Sequence, residues 1–201
     1  MTSAPPTVFL ASGSPRRREL LAQLGIPHAV VAVDVDETPR RGEGAADLAR
    51  RLASAKARAG RDQAPPGSVV IGADTVVALC DEIFGKPADA ADAARMLSRL
   101  AGRTHAVYSA VAVVDAERER VELSRSEVSF RPLEPAEIAA YWTTGEPRDK
   151  AGGYAIQGLG AAFVSLLHGS YSGVMGLPLF ETARLLAAAG HPVPALAVAP
   201  R

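Results

Sequence analysis

The feature that most constrains this chain is residues 68–79, with the sequence SVVIGADTVVAL. Valine, isoleucine and threonine dominate, and the near-continuous apolar run predicts a strand buried on both faces. Asp74 falls in the middle of it, and an ionised carboxylate there needs a cation, a metal or a raised pKa. From the sequence alone, Asp74 is either part of a structural salt bridge or a functional acid. Gly72 and Ala73 would leave room for a ligand to approach the backbone.

A second unusual stretch, residues 10–21 (LASGSPRRRELL), follows a short apolar run that predicts a strand. Ser14 suits a helix N-cap, Pro15 suits the first helical position, and Gly25 would end the helix. The helix N-terminus offers free backbone N–H groups beside two serines and three arginines, which suits a phosphate. The alternative is a capped helix with a solvated basic first turn, although arginine there opposes the helix dipole. The Gly-Lys-Ser/Thr ending of a P-loop is missing.

The remaining periodicity predicts an α/β protein. Helices are predicted at residues 45–59, 88–100, 135–144 and 177–189, and strands at residues 28–35, 103–114, 121–131 and 161–167. Turns are predicted at residues 83–87, which carry the exposed Lys86, and at residues 169–173. Residues 145–160 form a long glycine-rich loop, and such loops are often functional. Residues 192–201 are predicted to be a frayed tail.

Composition narrows the class of protein. The chain has 201 residues, with 22 Lys+Arg balancing 22 Asp+Glu, which argues against a broad nucleic-acid surface. Cys80, the single cysteine, follows an apolar run and is predicted to be buried and structural. The sequence has no disulfide framework and no Cys/His metal spacing, so a reducing compartment such as the cytoplasm is expected. We find no signal h-region and no apolar run that could span a bilayer, and we expect no membrane partner.

Three further polar positions have two interpretations each. Asp34, Asp36 and Glu37 end the second predicted strand, and they form either a solvated turn or part of a cation site. Lys56 lies at the edge of an apolar helical stripe, from which it could reach solvent or a cleft. A lone His105 is more often structural than catalytic.

Six short motifs together resemble the Maf family of nucleoside triphosphate pyrophosphatases. They occur in family order and span nearly the whole chain: SGSPRR at 12–17, GADTV at 72–76, GKP at 85–87, DKAG at 149–152, IQG at 156–158 and GLP at 176–178. The resemblance implies one domain over residues 1–201, an elongated mixed sheet flanked by helices, and two lobes around a cleft, as in inosine-triphosphate pyrophosphatases. It also implies a possible homodimer.

The resemblance further implies a reaction, in which a nucleoside triphosphate is cut between its α and β phosphates with Mg²⁺ or Mn²⁺. Asp74 would bind metal or deprotonate water, Lys56 and Lys86 would stabilise charge on the phosphates, and Glu37 would be a second metal ligand. The residues expected to bind substrate are Ser12, Ser14, Arg16, Arg17, Thr75, Asp149, Lys150 and Gln157.

Three positions resemble the dTTP/UTP branch of that family. Arg16, Thr75 and Gln157 stand where the 7-methyl-GTP branch tends to carry Trp, Gln and Glu. A glutamine offers a donor and an acceptor to the edge of uracil or thymine. The alternatives are a 7-methyl-GTP or broad modified-nucleotide pyrophosphatase, or a nucleotide-sensing regulator of cell division. Ser109 departs from the family pattern by replacing a usual Thr.

Overall fold

In the computed structural model, residues 8–194 are described. They form one seven-stranded sheet with helices packed against it, which confirms the expected mixed α/β fold. The strands are β1 (Val8–Leu10), β2 (His28–Val30), β3 (Val69–Leu79), β4 (Glu82–Phe84), β5 (Thr104–Val114), β6 (Glu119–Phe130) and β7 (Val164–His168). The helices are α1 (Pro15–Gln23), α2 (Ala45–Gln63), α3 (Ala90–Leu100), α4 (Pro135–Thr143), α5 (Tyr171–Met175) and α6 (Leu179–Ala188). None of the helices in this described range is long and apolar enough to cross a membrane.

A gap in the sheet lies beside the middle of β3. The strand order is β2-β1-β3-β5-β6-β7, and β1 is parallel to both β2 and β3. One edge of β3 pairs with β5 from Val70 to Ala78. On the other edge, β1 pairs with residues 69–71 and β4 with residues 77–79. Residues 72–76 therefore have no partner strand on that edge among the strands described.

Two hydrophobic cores meet on one face of β3. Val69, Ile71 and Ala73 pack in a core with side chains of α1 and α6. Val77 and Leu79, further along the same face, pack in a second core with side chains of α3 and α4. Thr75 lies between them, because alternate residues of a strand share a face. The boundary between the two cores thus coincides with the gap in the sheet.

Helix α2 covers the opposite face of β3 and contacts it through backbone atoms. A Cβ added to Gly72 would lie 2.2 Å from the carbonyl oxygen of Ala53 and 2.4 Å from the amide nitrogen of Ala57. Glycine at position 72 therefore allows α2 to pack closely against β3. The expectation that Gly72 leaves room for a ligand is wrong.

The structure corrects several predicted boundaries. β2 is three residues long because its partner β1 ends at Leu10, whereas the prediction extended it to Val35. The predicted turn at residues 83–87 overlaps the last two residues of β4, which pairs with β3. The predicted turn at 169–173 contains the start of α5, capped by the Ser170 hydroxyl. The glycine-rich loop 145–160 contains short 3-10 turns.

Two predictions about exposure are also wrong. Cys80 is exposed, because it sits in the tight turn between β3 and β4 with a φ of 54° instead of continuing the buried strand. Val193 is buried in the first core, so the chain is still packed within the tail that was predicted to fray from residue 192. The rest of that predicted tail, residues 195–201, lies outside the described residues.

We expect Gly72→Ala to lower the free energy of unfolding by about 1–3 kcal/mol, because the added methyl group meets helix backbone that cannot rotate away. Urea denaturation of the purified variant measures this. Gly85→Ala is the matched control, since a Cβ at Gly85 meets no atom within 4 Å. Equal stability of the two variants would contradict the backbone contact between α2 and β3.

Candidate active site

A cleft of about 750 Å³ opens where β3 lacks a partner strand. It brings together every residue expected to act in catalysis, substrate binding or metal binding, whereas Asp34 and Asp36, which were considered with Glu37 for a cation site, do not line it. Its lining includes Ser12, Ser14, Arg16, Arg17, Glu37, Lys56, Asp74, Thr75, Lys86, Asp149, Lys150 and Gln157. Five of these are cationic and three are carboxylates, so the cleft has an excess of positive charge in a protein whose formal net charge is zero.

A buried ammonium group joins two carboxylates in this cleft. Lys56 Nζ lies 2.7 Å from Asp74 Oδ1 and 2.5 Å from Glu37 Oε1. Lys56 and Asp74 are only 8% and 7% exposed, so the buried carboxylate depends on the ammonium group for its stabilisation, and the ammonium group depends on its two carboxylates. Of the two interpretations given to Lys56, the structure therefore supports the one that points it into a cleft.

Glu37 lies nearer to solvent and reaches a second cation. Its Oε2 is 3.9 Å from Lys86 Nζ, an exposed ammonium group. Although partial burial opposes ionisation, the hydrogen bond from Lys56 and the charges of Lys56 and Lys86 hold the pKa of Glu37 below its usual range. Glu37 is therefore an ionised oxygen donor at neutral pH.

The turn before α1 is organised by its own side chains. Ser12 Oγ accepts a hydrogen bond of 3.2 Å from the backbone N–H of Ser14 and one of 3.4 Å from Arg17. Arg17 also donates through Nε to the carbonyl of Gly176, at 2.8 Å, which ties α1 to the end of α5. Ser14 occupies the N-cap position as predicted, but its hydroxyl makes no capping hydrogen bond. The first turn of α1 contains no acidic residue.

Asp149 joins two of the cations. It contacts Lys150 Nζ directly, and its Oδ2 lies 3.5 Å from Arg16 Nη1. Partial burial opposes its ionisation, but the hydrogen bond and charge of Lys150 and the charge of Arg16 lower the pKa of Asp149. An ionised Asp149 therefore holds Arg16 and Lys150 close to each other beside the cleft.

Gln157 is exposed at the cleft, in the loop that also supplies Tyr154 and Ala155 to the lining. In the range 8–194, no hydrogen-bond partner of its side-chain amide is described. Its donor and acceptor are therefore available to a ligand. The glycines around it have other roles: Gly152 and Gly153 have positive φ, while Gly158 makes a close contact away from the cleft.

Sequence reasoning missed a polar contact behind Thr75. Ser109 pairs with Thr75 across β3 and β5, and their hydroxyl oxygens lie 3.2 Å apart. Ser109 donates its proton to the carbonyl of Gly173 at 2.5 Å, so Thr75 is the donor in the contact between the two hydroxyls. The lone pairs of Thr75 remain available on the side of the cleft. The only indication of this contact in the sequence was that Ser109 stands where the resemblance leads one to expect a threonine.

His105 is buried behind the cleft wall, as expected of a structural histidine. Its Nε2 is 2.8 Å from the hydroxyl of Tyr154, and no partner for its Nδ1 is described in residues 8–194. Burial lowers the pKa of His105 to about 4. The imidazole is therefore neutral at physiological pH.

We expect acid to destabilise the protein through His105. Between pH 6.5 and about 4 the unfolded chain binds a proton that the folded chain excludes, so stability falls as pH falls in that window. The loss from pH 7 to pH 5 should be roughly 2 kcal/mol, from the linkage of the two pKa values. Urea denaturation at the two pH values measures it, and His105→Gln should reduce the difference. An unchanged difference in that variant would contradict the assignment.

The carboxylates fit a divalent metal of the hard, oxygen-preferring kind. Glu37 and Asp74 converge on one ammonium group, so the place they surround already attracts a cation. No group of three or more His, Cys, Asp or Glu side chains that could hold a metal occurs within residues 8–194. Mg²⁺ often takes one or two carboxylates and completes its shell with water and substrate phosphates. This donor set fits a metal that arrives with its substrate.

Comparison with known proteins identifies the class of this chain. The family described as Maf-like protein matches residues 7–189. The chain therefore belongs to the Maf family.

Relatives in that family carry a more specific name. A dTTP/UTP pyrophosphatase of Methylococcus capsulatus is 56% identical over 179 residues, which cover 89% of each chain. A dTTP/UTP pyrophosphatase of Aromatoleum aromaticum is 50% identical over 199 residues, which cover 92% of this chain and 97% of the relative. Among solved structures, the chain is similar to a nucleoside-triphosphatase / dITP/XTP pyrophosphatase from Mycobacterium abscessus, with 22% identity, a TM-score of 0.46, and coverage of 90% of this chain and 93% of that chain.

Proposed function

We propose that this protein is a nucleoside triphosphate pyrophosphatase that hydrolyses dTTP and UTP to the monophosphate and pyrophosphate. The observation that carries the proposal is the buried Lys56–Asp74 pair, joined by Glu37, in a cleft lined by five cations. Relatives about 50% identical over most of their length are named for this activity. A cleft of about 750 Å³ is within the range that holds a small-molecule ligand.

In this proposal the polyphosphate lies between the N-terminus of α1 and the lysines. Arg16 and Lys86 lie 3.5 Å and 3.9 Å from their carboxylate partners. Lys150 contacts Asp149, whose side chain is exposed. These carboxylates are replaced by phosphate oxygens more easily than Asp74 is replaced in its buried contact with Lys56. Backbone N–H groups at the start of α1 add uncharged donors. Charge that develops on the transferred phosphoryl group would be stabilised by these fixed cations.

Asp74 is proposed as the general base. It would take a proton from water, whose oxygen attacks the α-phosphorus as the bond to the bridging oxygen of pyrophosphate breaks. Lys56 holds the Asp74 carboxylate in place at 2.7 Å. Glu37 and Asp74 would also hold a Mg²⁺ or Mn²⁺ ion, which when bound neutralises phosphate charge and orients the phosphates.

We expect Asp74→Asn to reduce hydrolysis by roughly 10²–10⁴-fold, the range for loss of a general base, while the fold is kept. The fold survives because the volume is unchanged and Lys56 retains Glu37 as a partner. Pyrophosphate release measures activity, and circular dichroism measures folding. Turnover like that of the wild type would overturn the assignment of Asp74.

Base selection is proposed to involve Gln157, Thr75 and Arg16. All three line the same cleft. The amide of Gln157 would pair with the polar edge of uracil or thymine, whose adjacent acceptor and donor it complements. A site built to hydrogen-bond its substrate rejects analogues that leave buried polar groups unpaired.

We expect Gln157→Glu to weaken cleavage of dTTP and UTP by about 1–3 kcal/mol in kcat/KM, because a carboxylate has no donor for the pyrimidine edge. Cleavage of 7-methyl-GTP should fall much less, since a carboxylate can accept its cationic base. The measurement is kcat/KM for the three nucleotides with both proteins. An equal fall for all three would mean that Gln157 supports the loop without reading the base.

The activity itself is tested by pyrophosphate release from a nucleotide panel, with and without Mg²⁺. Preference for dTTP and UTP supports the proposal, and preference for 7-methyl-GTP would place the chain in the other branch. Nucleotide binding without any release would support a sensor in cell division instead. The homodimer implied by the resemblance and the cytoplasmic location inferred from cysteine usage stay predictions.

A further inference from the structure

A hydrogen-bonded clamp holds the loop that carries Gln157. The clamp consists of two side chains, Tyr141 at the end of α4 and Glu146 in the 3-10 turn that follows it. Glu146 Oε2 accepts a hydrogen bond of 2.9 Å from the N–H of Leu159, and its Oε1 accepts one of 3.0 Å from the N–H of Gly160. These contacts fix the chain just after Gln157.

Tyr141 fixes the chain just before Gln157. Its hydroxyl accepts a hydrogen bond of 3.1 Å from the N–H of Ala155 and donates one of 2.6 Å to Glu146 Oε1. The carboxylate and the phenol thus form one connected unit. Through three backbone amides it holds both ends of residues 155–160, with Gln157 between them.

The glycines of this loop are required by the clamp. A Cβ on Gly158 would lie 2.2 Å from Glu146 Oε2, and a Cβ on Gly160 would lie 2.7 Å from the Tyr141 hydroxyl. The close approach of the two side chains therefore explains why glycine follows Gln157 directly and again two residues later.

The clamp is charged at neutral pH. Partial burial opposes ionisation of Glu146, but hydrogen bonds from Tyr141, Gly160 and Leu159 hold the pKa of this carboxyl below its usual range. Hydrogen bonds to an ionised acceptor are about twice as strong as neutral ones. Neither Tyr141 nor Glu146 is among the described residues that line the cleft. Tyr141 and Glu146 therefore affect a bound ligand by fixing the position of loop 155–160.

We propose that Glu146 and Tyr141 are positioning residues for base selection, which hold loop 155–160 in the geometry that presents Gln157 to the base. The inference rests on the proposed function, because it assumes that this loop meets the base. It assigns no part of the phosphoryl chemistry to either residue. Loss of the clamp should therefore change which nucleotide is preferred more than the rate of bond cleavage.

The test is the ratio of kcat/KM for dTTP to that for dCTP, two substrates that differ at the pyrimidine edge. Glu146→Gln keeps the volume but replaces one acceptor oxygen by a donor, and should lower this ratio by about tenfold, the effect of one unpaired hydrogen-bonding group. The change should appear mainly in KM for dTTP, with kcat little altered. Tyr141→Phe should act in the same direction, and it provides a second test if Glu146→Gln folds poorly.

Glu137→Gln is the matched control. Glu137 lies on α4 and is ion-paired with Arg131 at 3.0 Å, but it has no contact with loop 155–160 among those described. This variant loses a carboxylate of the same helix region and should keep the wild-type ratio. A comparable fall in the control, or an equal fall for both nucleotides in Glu146→Gln, would mean that Glu146 only stabilises the fold.

A Gln157→Ala variant separates failure of this inference from failure of the role proposed for Gln157, while release of pyrophosphate from dTTP by the wild-type protein tests the proposed function itself. If it loses selectivity and Glu146→Gln does not, the clamp is refuted and the role of Gln157 stands. If only Glu146→Gln loses selectivity, Gln157 does not read the base, and the inference that the clamp presents Gln157 to the base is overturned. If neither variant loses selectivity, both the clamp and the role proposed for Gln157 are overturned. When both do, the double variant should lose no more than Gln157→Ala alone, since the clamp acts through that residue.

Discussion

The site depends on the contact between the backbone of α2 and the backbone of β3 at Gly72. The helix can approach this closely only because Gly72 has no side chain and because Ala53 and Ala57 are small. That approach brings Lys56 of the helix within 2.7 Å of Asp74 on the strand, two residues beyond Gly72. A charged pair buried to this degree is stable only at short range. The position of the central cation is therefore set by uncharged residues.

The sheet places the remaining groups around that pair. β1 and β4 pair with opposite ends of one edge of β3, so the chain segments next to them converge on the gap between. The turn after β1 delivers Ser12, and the segment after β4 delivers Lys86. Thr75, on the other face of β3 from Lys56, marks the boundary between the two cores. Residues far apart in sequence thus meet at the gap beside the middle of β3.

Much of the fold and of the candidate site could be predicted from the sequence, because a residue whose polarity differs from that of its neighbours is a strong signal. A carboxylate inside an apolar strand identified Asp74, and a basic first helical turn identified the residues around Arg16. Contacts that depend on packing could not be predicted. The bond of Lys56 to Glu37, the link from Ser109 to Gly173 and the clamp of Glu146 all join distant segments. Cys80 was assigned to the core because it directly follows an apolar run, but it is the first residue after β3 and lies in the turn to β4.

The gap in the sheet also bears on how the protein avoids pairing with itself. An open strand edge is a template for strand addition, and long exposed edges promote aggregation. Among the strands described, the open edge of β3 covers only residues 72–76, it lies inside a cleft, and charged side chains such as Lys56 and Lys86 surround it. An incoming strand would have to displace or bury these charges before it formed a few hydrogen bonds. The cations that suit the cleft to a phosphate therefore also shield the unpaired backbone from other chains.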